Sequence, residues 1–274
     1  VETVGFAYGQ RHSAELGVRG IVRAKLSAIK PSWKERLGPD HMLELKELGR
    51  GVTRFAPGNR VFGMPRFPRE AAAYAEYITA PSRQLALIPE GLGDVEAAAL
   101  PLAGLTAWQA LVETAGVGPK SRVLILAAAG GVGHLAVQIA KARGAYVIGT
   151  ARAEKHAFLA SLGADEAVDY TTGPLTGGVD DVDVVLDLVG GETALDALST
   201  LRDGGVFVTV TGAADEVRDQ AAGRVRLEGV LVEPDRLGME ALAELVAEGV
   251  LRPHVSATFP LADAADLEAI ANDV

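Results

Sequence analysis

Two groups of residues in this chain have the types and spacing to hold a charged ligand. The first is Ala127-Ala128-Ala129-Gly130-Gly131-Val132-Gly133-His134, set between the apolar run 123–126 and a helix-forming stretch, 135–140. Laid over G-x-G-x-x-G, residues 128–133 keep the second and third glycines, Gly130 and Gly133. The second lets backbone approach a pyrophosphate, and the third lets helix pack closely on strand. The free N–H groups at the helix start then hold phosphate oxygens. The first glycine serves only the tight turn, where Ala128 can stand if its φ stays negative. A small-residue corner without a ligand is the plainer alternative; the strand, turn, helix, strand order running to Thr150 favours a nucleotide.

The second group is Arg152 and Lys155. A dinucleotide with a free ribose calls for Asp or Glu at the end of the second strand, about 20 residues on. The chain has Ile148-Gly149-Thr150-Ala151-Arg152 there, with no acid. A cation pair beside the ribose suits a 2′-phosphate, so NADP is the expected cofactor. The alternative is that both are solvated helix-start charges and that Glu154 reaches the ribose.

Metal chemistry has little to work with. The chain has no cysteine, and His12, His41, His134, His156 and His254 show no ligand spacing such as H-E-x-x-H. No metal is expected. A net charge of −10 argues against nucleic acid or an anionic membrane as partner. No apolar run is expected to approach the roughly 20 residues of a membrane span. The absence of cysteine makes the cytoplasm the expected compartment.

Positioning these residues calls for two kinds of architecture. Up to about Pro101, short extended segments are punctuated by glycine and proline. Val22, Ala24 and Leu26 alternate with Arg23, Lys25 and Ser27, the period of a half-buried strand. Pro57-Gly58-Asn59 marks a turn before Arg60-Val61-Phe62, and residues 74–79 and 85–88 look like further strands. After Pro101, strands alternate with helices of about 10 to 15 residues, the pattern of an α/β doubly wound parallel sheet. Strands are expected at 123–126, 146–150, 167–168, 182–187, 206–210 and 229–232. In the helix after the turn, Val132, Leu135, Ala136, Ile139 and Ala140 form one apolar stripe, with His134, Gln138 and Lys141 off it. Beyond Pro234 a helix over 239–247, a short strand near 255–259 and a last helical piece are expected.

These segments together resemble a known family. Gly104-Leu105-Thr106-Ala107-Trp108-Gln109-Ala110-Leu111, the stretch from Ala127 to Lys141, Leu162-Gly163-Ala164-Asp165 and Asp187-Leu188-Val189-Gly190-Gly191 look like the zinc-independent medium-chain dehydrogenase/reductases of the quinone oxidoreductase (zeta-crystallin-like) group. Ala73-Tyr74-Ala75-Glu76-Tyr77 and the residues 51–58 match the same group's first domain. The likeness runs from about Val52 to Phe259. It departs over 1–20, between Gly38 and Asp40, and at 272–274, where a further closing strand is usual.

The resemblance implies a Rossmann domain over 102–234, with a GroES-like β-rich catalytic domain formed by 1–101 and the returning segment 235–274. It implies NADPH contacts at Lys155 and, fifteen residues later, Tyr170, with Thr106 lying against the nicotinamide. The remaining expected cofactor residues are Ala129, Gly130, Gly131, Val132, Gly133, Thr150, Arg152, Val189 and Thr211. The segment 31–38 is similar to the family's N-P-x-D-W-K-x-R-x-G, which makes Lys34 the candidate catalytic donor. A surface lysine is the alternative there. The implied reaction is hydride transfer from NADPH to a small electrophile, either a quinone or the β-carbon of an activated alkene. An enoyl-thioester reductase of fatty-acid or polyketide type shares the fold, and an NADPH-binding sensor without turnover is a third possibility. A homodimer is expected by analogy with the family.

Overall fold

The computed structural model describes residues 45–69, 78–175 and 178–258. Lys34, the strand expected over 22–26 and most of the one expected over 74–79 lie outside them, as do His12 and His41. Within the described residues, β1 (Val61–Gly63) pairs antiparallel with β2 (Leu85–Leu87), and α1 (Asp94–Trp108) follows. Then come β3 (Arg122–Ile125), α2 (Gly133–Ala142), β4 (Tyr146–Thr150), α3 (His156–Ser161) and β5 (Glu166–Val168). The second half holds β6 (Val182–Asp187), α4 (Gly191–Ser199), β7 (Leu201–Thr209), α5 (Asp215–Ala221), β8 (Arg226–Gly229) and α6 (Arg236–Ala247).

Strands β3 to β8 form one sheet in the order β5-β4-β3-β6-β7-β8, with every neighbouring pair parallel. This is the doubly wound order 3-2-1-4-5-6, which reverses direction between β3 and β6 and opens a crevice at their C-terminal ends. Apolar side chains alternate across the sheet because successive strand residues face opposite sides. On β3, Val123 and Ile125 pack with α1 and α2, whereas Leu124 joins Ile148, Val185 and Phe207 against α4 and α5. Both faces are covered, so the strands read as continuous apolar runs. Phe62, Ala86 and Ile88 belong to the same core as α1 and α6, which seats the β1–β2 hairpin on the first face.

Several expected boundaries shift. The last strand is Arg226–Gly229 rather than 229–232. Its pairing with β7 starts at Val206↔Arg226 and ends at Thr209↔Gly229, after which the apolar run leaves the sheet and Leu231 is exposed. Strand β7 begins at Leu201, ahead of the expected 206. Helix α6 begins at Arg236, because Asp235 caps it by accepting from the Gly238 N–H. No strand forms over 255–258. Helix α1 runs through Pro101, so the expected domain boundary at 101/102 falls inside a helix.

Residues 94–114, α1 and the π-helical turn after it, also correct the expectation about apolar length. Among the described residues they make a 21-residue helical run apolar enough to cross a membrane by length and composition. Ala97, Leu100, Leu105, Ala107, Ala110 and Leu111 are fully buried within the fold, the placement of a core helix.

Candidate functional site

The turn at 127–132 lies at the C-terminal end of β3, at the reversal point of the sheet. Strand β4 holds it from below. The Ala127 N–H donates to Thr150 Oγ1 at 3.1 Å, and the Ala128 N–H to the Thr150 carbonyl at 2.9 Å. The Gly130 N–H closes the turn onto the Ala127 carbonyl at 2.9 Å. Ala127 itself takes φ 46°, a left-handed conformation that costs an L-residue about 1–2 kcal/mol. Ala128 is not among the positive-φ residues, as its substitution for glycine requires.

Two glycines are fixed by close approach. A Cβ on Gly133 would lie 2.3 Å from the Ala127 carbonyl oxygen and 2.7 Å from Ala128 Cα, so α2 sits against the turn as only glycine permits. A Cβ on Gly149 would meet the Ala128 methyl at 2.8 Å. The alanine in the first glycine's place is therefore accommodated by a glycine on the neighbouring strand. The amides of Gly131, Val132 and Gly133 find no carbonyl acceptor among the described residues, and residues 129–132 are half-exposed. Open amides at the start of a ten-residue helix, over a cradle that a Cβ would fill, suit the phosphates of a dinucleotide.

At the end of β4, Arg152 and Tyr170 come together, with Arg152 Nε donating to the Tyr170 hydroxyl at 3.3 Å. Both are exposed, and Lys155 is exposed one short 3-10 turn further on. Neither Arg152 nor Lys155 forms an ion pair within 4 Å with a carboxylate of the described residues. Asp169 is occupied locally: it accepts from the Thr171 hydroxyl and N–H and from the Ala153 N–H, which hold its carboxyl below the usual aspartate range.

Across the crevice, the end of β6 is organised by Asp187, a side chain only 1% exposed. Its Oδ1 accepts from the Val189 and Gly190 N–H groups at 2.9 and 2.7 Å, and its Oδ2 from the Thr209 and Thr211 hydroxyls at 2.8 and 3.4 Å. Four donors satisfy a buried carboxylate and set the chain direction at Val189 and Thr211, both exposed toward solvent. Thr106 is buried in α1, its hydroxyl donating to the Leu102 carbonyl at 2.7 Å. The expected residues 129–133, Arg152, Lys155 and Tyr170 thus line one continuous β3–β4–β5 edge. Val189 and Thr211 stand at the ends of the neighbouring strands, and Thr150 supports the turn from inside.

Residues that spacing did not single out also shape the site. His134 and Gln138, placed off the apolar stripe by periodicity, are 6% and 5% exposed. Their polar atoms are met by Gly130 on one side and by Arg252 and His254 on the other. Asp187 had a visible signal, an acid closing the strand Val182–Asp187 after the apolar run 184–186. Gly149 had one too, a glycine interior to a strand.

Residues 162–270 match the family model of the zinc-binding dehydrogenases. The mitochondrial NAD(P)H oxidoreductase RTN4IP1 of Danio rerio is 33% identical over 257 residues, covering 82% of this chain and 66% of its own. The quinone oxidoreductase of Coxiella burnetii superposes with a TM-score of 0.77 at 38% identity, over 84% of this chain and 73% of that one. The quinone oxidoreductase of Escherichia coli, solved in complex with NADPH, superposes with a TM-score of 0.67 at 29% identity, over 84% and 76%. The chain spans 66% to 76% of the length of these relatives. Turn, sheet order and sequence agree: the chain belongs to the quinone oxidoreductase-like medium-chain dehydrogenase/reductases, a family of oxidoreductase enzymes.

Proposed function

We propose that this protein is a zinc-independent, NADPH-dependent reductase that transfers hydride to a quinone or an α,β-unsaturated carbonyl. One observation carries the reading: a glycine-rich turn with open amides at the reversal of a 3-2-1-4-5-6 sheet has Arg152, not an acid, at the end of its second strand. The open amides of 131–133 hold the pyrophosphate, and Arg152 with Lys155 holds the 2′-phosphate. Bound NADPH supplies the hydride; the chain orients it and stabilises the charge that develops on the substrate oxygen. Lys34, outside the described residues, is the proposed donor to that oxygen. Zinc-independence is supported by the absence of cysteine from all 274 residues.

Domains over 1–101 with 235–274 and over 102–234, a homodimer, a cytoplasmic setting and a small-molecule electrophile as substrate, with neither nucleic acid nor membrane as partner, belong to the same proposal. NADPH oxidation at 340 nm against quinones, simple enones and enoyl thioesters tests it, with and without a chelator. Turnover of quinone or enone, unchanged by the chelator, is expected. Turnover of the thioester alone reassigns the substrate to the acyl type, and loss restored by zinc removes the zinc-independent reading. Binding of NADPH without oxidation of any substrate leaves the sensor.

A further inference from the structure

We propose that His134 and Gln138 form a latch through which the nucleotide turn fixes the chain that follows α6, so that filling the turn holds residues 252–254 in place. The inference rests on the dinucleotide reading of the turn and goes beyond it.

The latch is built from two side chains on successive turns of α2. His134 Nε2 accepts from the His254 N–H at 3.0 Å, while Nδ1 lies 2.9 Å from the Gly130 carbonyl. A ring nitrogen that accepts carries no proton, so the hydrogen sits on Nδ1 and is donated to Gly130. Gln138 Oε1 accepts from the Arg252 N–H at 2.8 Å, and its Nε2 donates to the Arg252 carbonyl at 3.1 Å and to the His134 carbonyl at 2.9 Å. Gln138 thus pairs with Arg252 as a neighbouring strand would, where no strand is present. Phe158 of α3 packs on the His254 ring with centroids 5.1 Å apart.

These three contacts are the hydrogen bonds the backbone of 252–258 makes among the described residues. One of them runs straight to the turn, because the ring that holds His254 is itself held by Gly130. A ligand that pins 130–133 thereby pins the ring, and with it the returning chain.

The contact with His254 also depends on the protonation of one ring. Burial holds the His134 imidazole below the usual histidine value; the Gly130 carbonyl works against this and the neighbouring His254 adds to it. His254 is the titratable group that acts on the ring among the described residues, from any element packed against it. A second proton on Nε2 would face the His254 N–H donor to donor and break that bond. The two bonds of Gln138 do not titrate.

Amide hydrogen exchange followed by NMR separates these contacts. With NADPH at a hundred times its dissociation constant, exchange at His254, whose partner ring is held by Gly130, should slow by about 100-fold, and more than exchange at Arg252, whose bonds to Gln138 do not reach the turn. Slowing below about tenfold overturns the coupling. Failure of NADPH to bind in the same samples overturns the cofactor reading instead. As pH is lowered from about 7.5 past the usual histidine value, after correction for the intrinsic rate, protection at His254 should be lost while Arg252 keeps its own. Parallel behaviour of the two amides refutes the role given to the ring. In His134→Asn the amide still donates to Gly130 but cannot reach His254, so protection at His254 should be lost at every pH. Retained protection in that variant overturns the latch.

Discussion

Replacing Thr150 with valine removes one oxygen from beneath the turn and leaves the shape of the side chain nearly unchanged. In the native protein that oxygen accepts the Ala127 N–H at 3.1 Å, from a side chain 1% exposed. The variant leaves the donor orphaned where no water replaces the acceptor, a loss of about 1–3 kcal/mol. The same bond restrains Ala127 at φ 46°, so its removal lets the turn relax away from the conformation that presents 131–133. At about 2–4 °C per kcal/mol for a domain of this size, the melting temperature of the ligand-free protein should fall by several degrees. NADPH affinity should fall with it. Thr150→Ser, which keeps the oxygen, should recover most of both. Thermal melts with and without NADPH, together with titration calorimetry, measure the two effects separately. Were Thr150→Val to melt like the parent without ligand and yet lose NADPH, its hydroxyl would contact the cofactor directly, and the turn-support role would be wrong.

Four further expectations follow from the same geometry. Replacing Arg152 and Lys155 with alanine should weaken NADPH by roughly ten- to a hundredfold, the worth of lost charge-assisted bonds, and leave NADH little changed; equal losses would return both residues to the solvated surface. Gly133→Ala forces a methyl to within 2.3 Å of the Ala127 carbonyl, so a loss of about 1–3 kcal/mol in stability and of NADPH binding is expected, read by the same melts and titrations. Burial pushes the Asp165 carboxyl up, but Lys141 and the Val147 N–H more than offset this and hold it below the usual aspartate value. Its stabilisation is therefore full above the unfolded value of about 3.9 and is lost as pH falls toward the folded one. Urea unfolding should show Asp165→Asn less stable at neutral pH, with the gap to the parent closing below about pH 4. Lys34→Ala should lower kcat while NADPH binding holds; unaltered turnover would make Lys34 a surface residue.

The strands of the sheet were legible because burial on both faces makes each an unbroken apolar run, and β4 and β6 fall at the expected residues. Where pattern failed, a tertiary contact overrode it. The apolar run 229–232 reads as a strand, yet the ladder with β7 ends at Gly229, because pairing is set by the partner's register and not by local hydrophobicity. Periodicity set His134 and Gln138 off the buried stripe, because it counts polar atoms as wet. In the folded chain the returning segment brings backbone groups to both, and a hydrogen-bonded polar group can be buried. That segment lies more than a hundred residues away in the chain, beyond the reach of any local pattern.

The alanine at the first fingerprint position shows how a motif's letters and its physics can part. Judged letter by letter, Ala128 weakens the case for a phosphate turn. In three dimensions the position requires a negative φ and room for one methyl, and the room is supplied by Gly149 on the next strand. The strained residue is instead Ala127, one place earlier, where a left-handed φ is held by Thr150 and by the closing bond from Gly130. Conformational demand has moved along the turn while the feature proposed to bind phosphate, three open amides above a glycine-tight helix start, has stayed in place. What defines the site is the set of backbone donors and the close approach at Gly133, and any sequence that preserves both remains competent to hold a pyrophosphate.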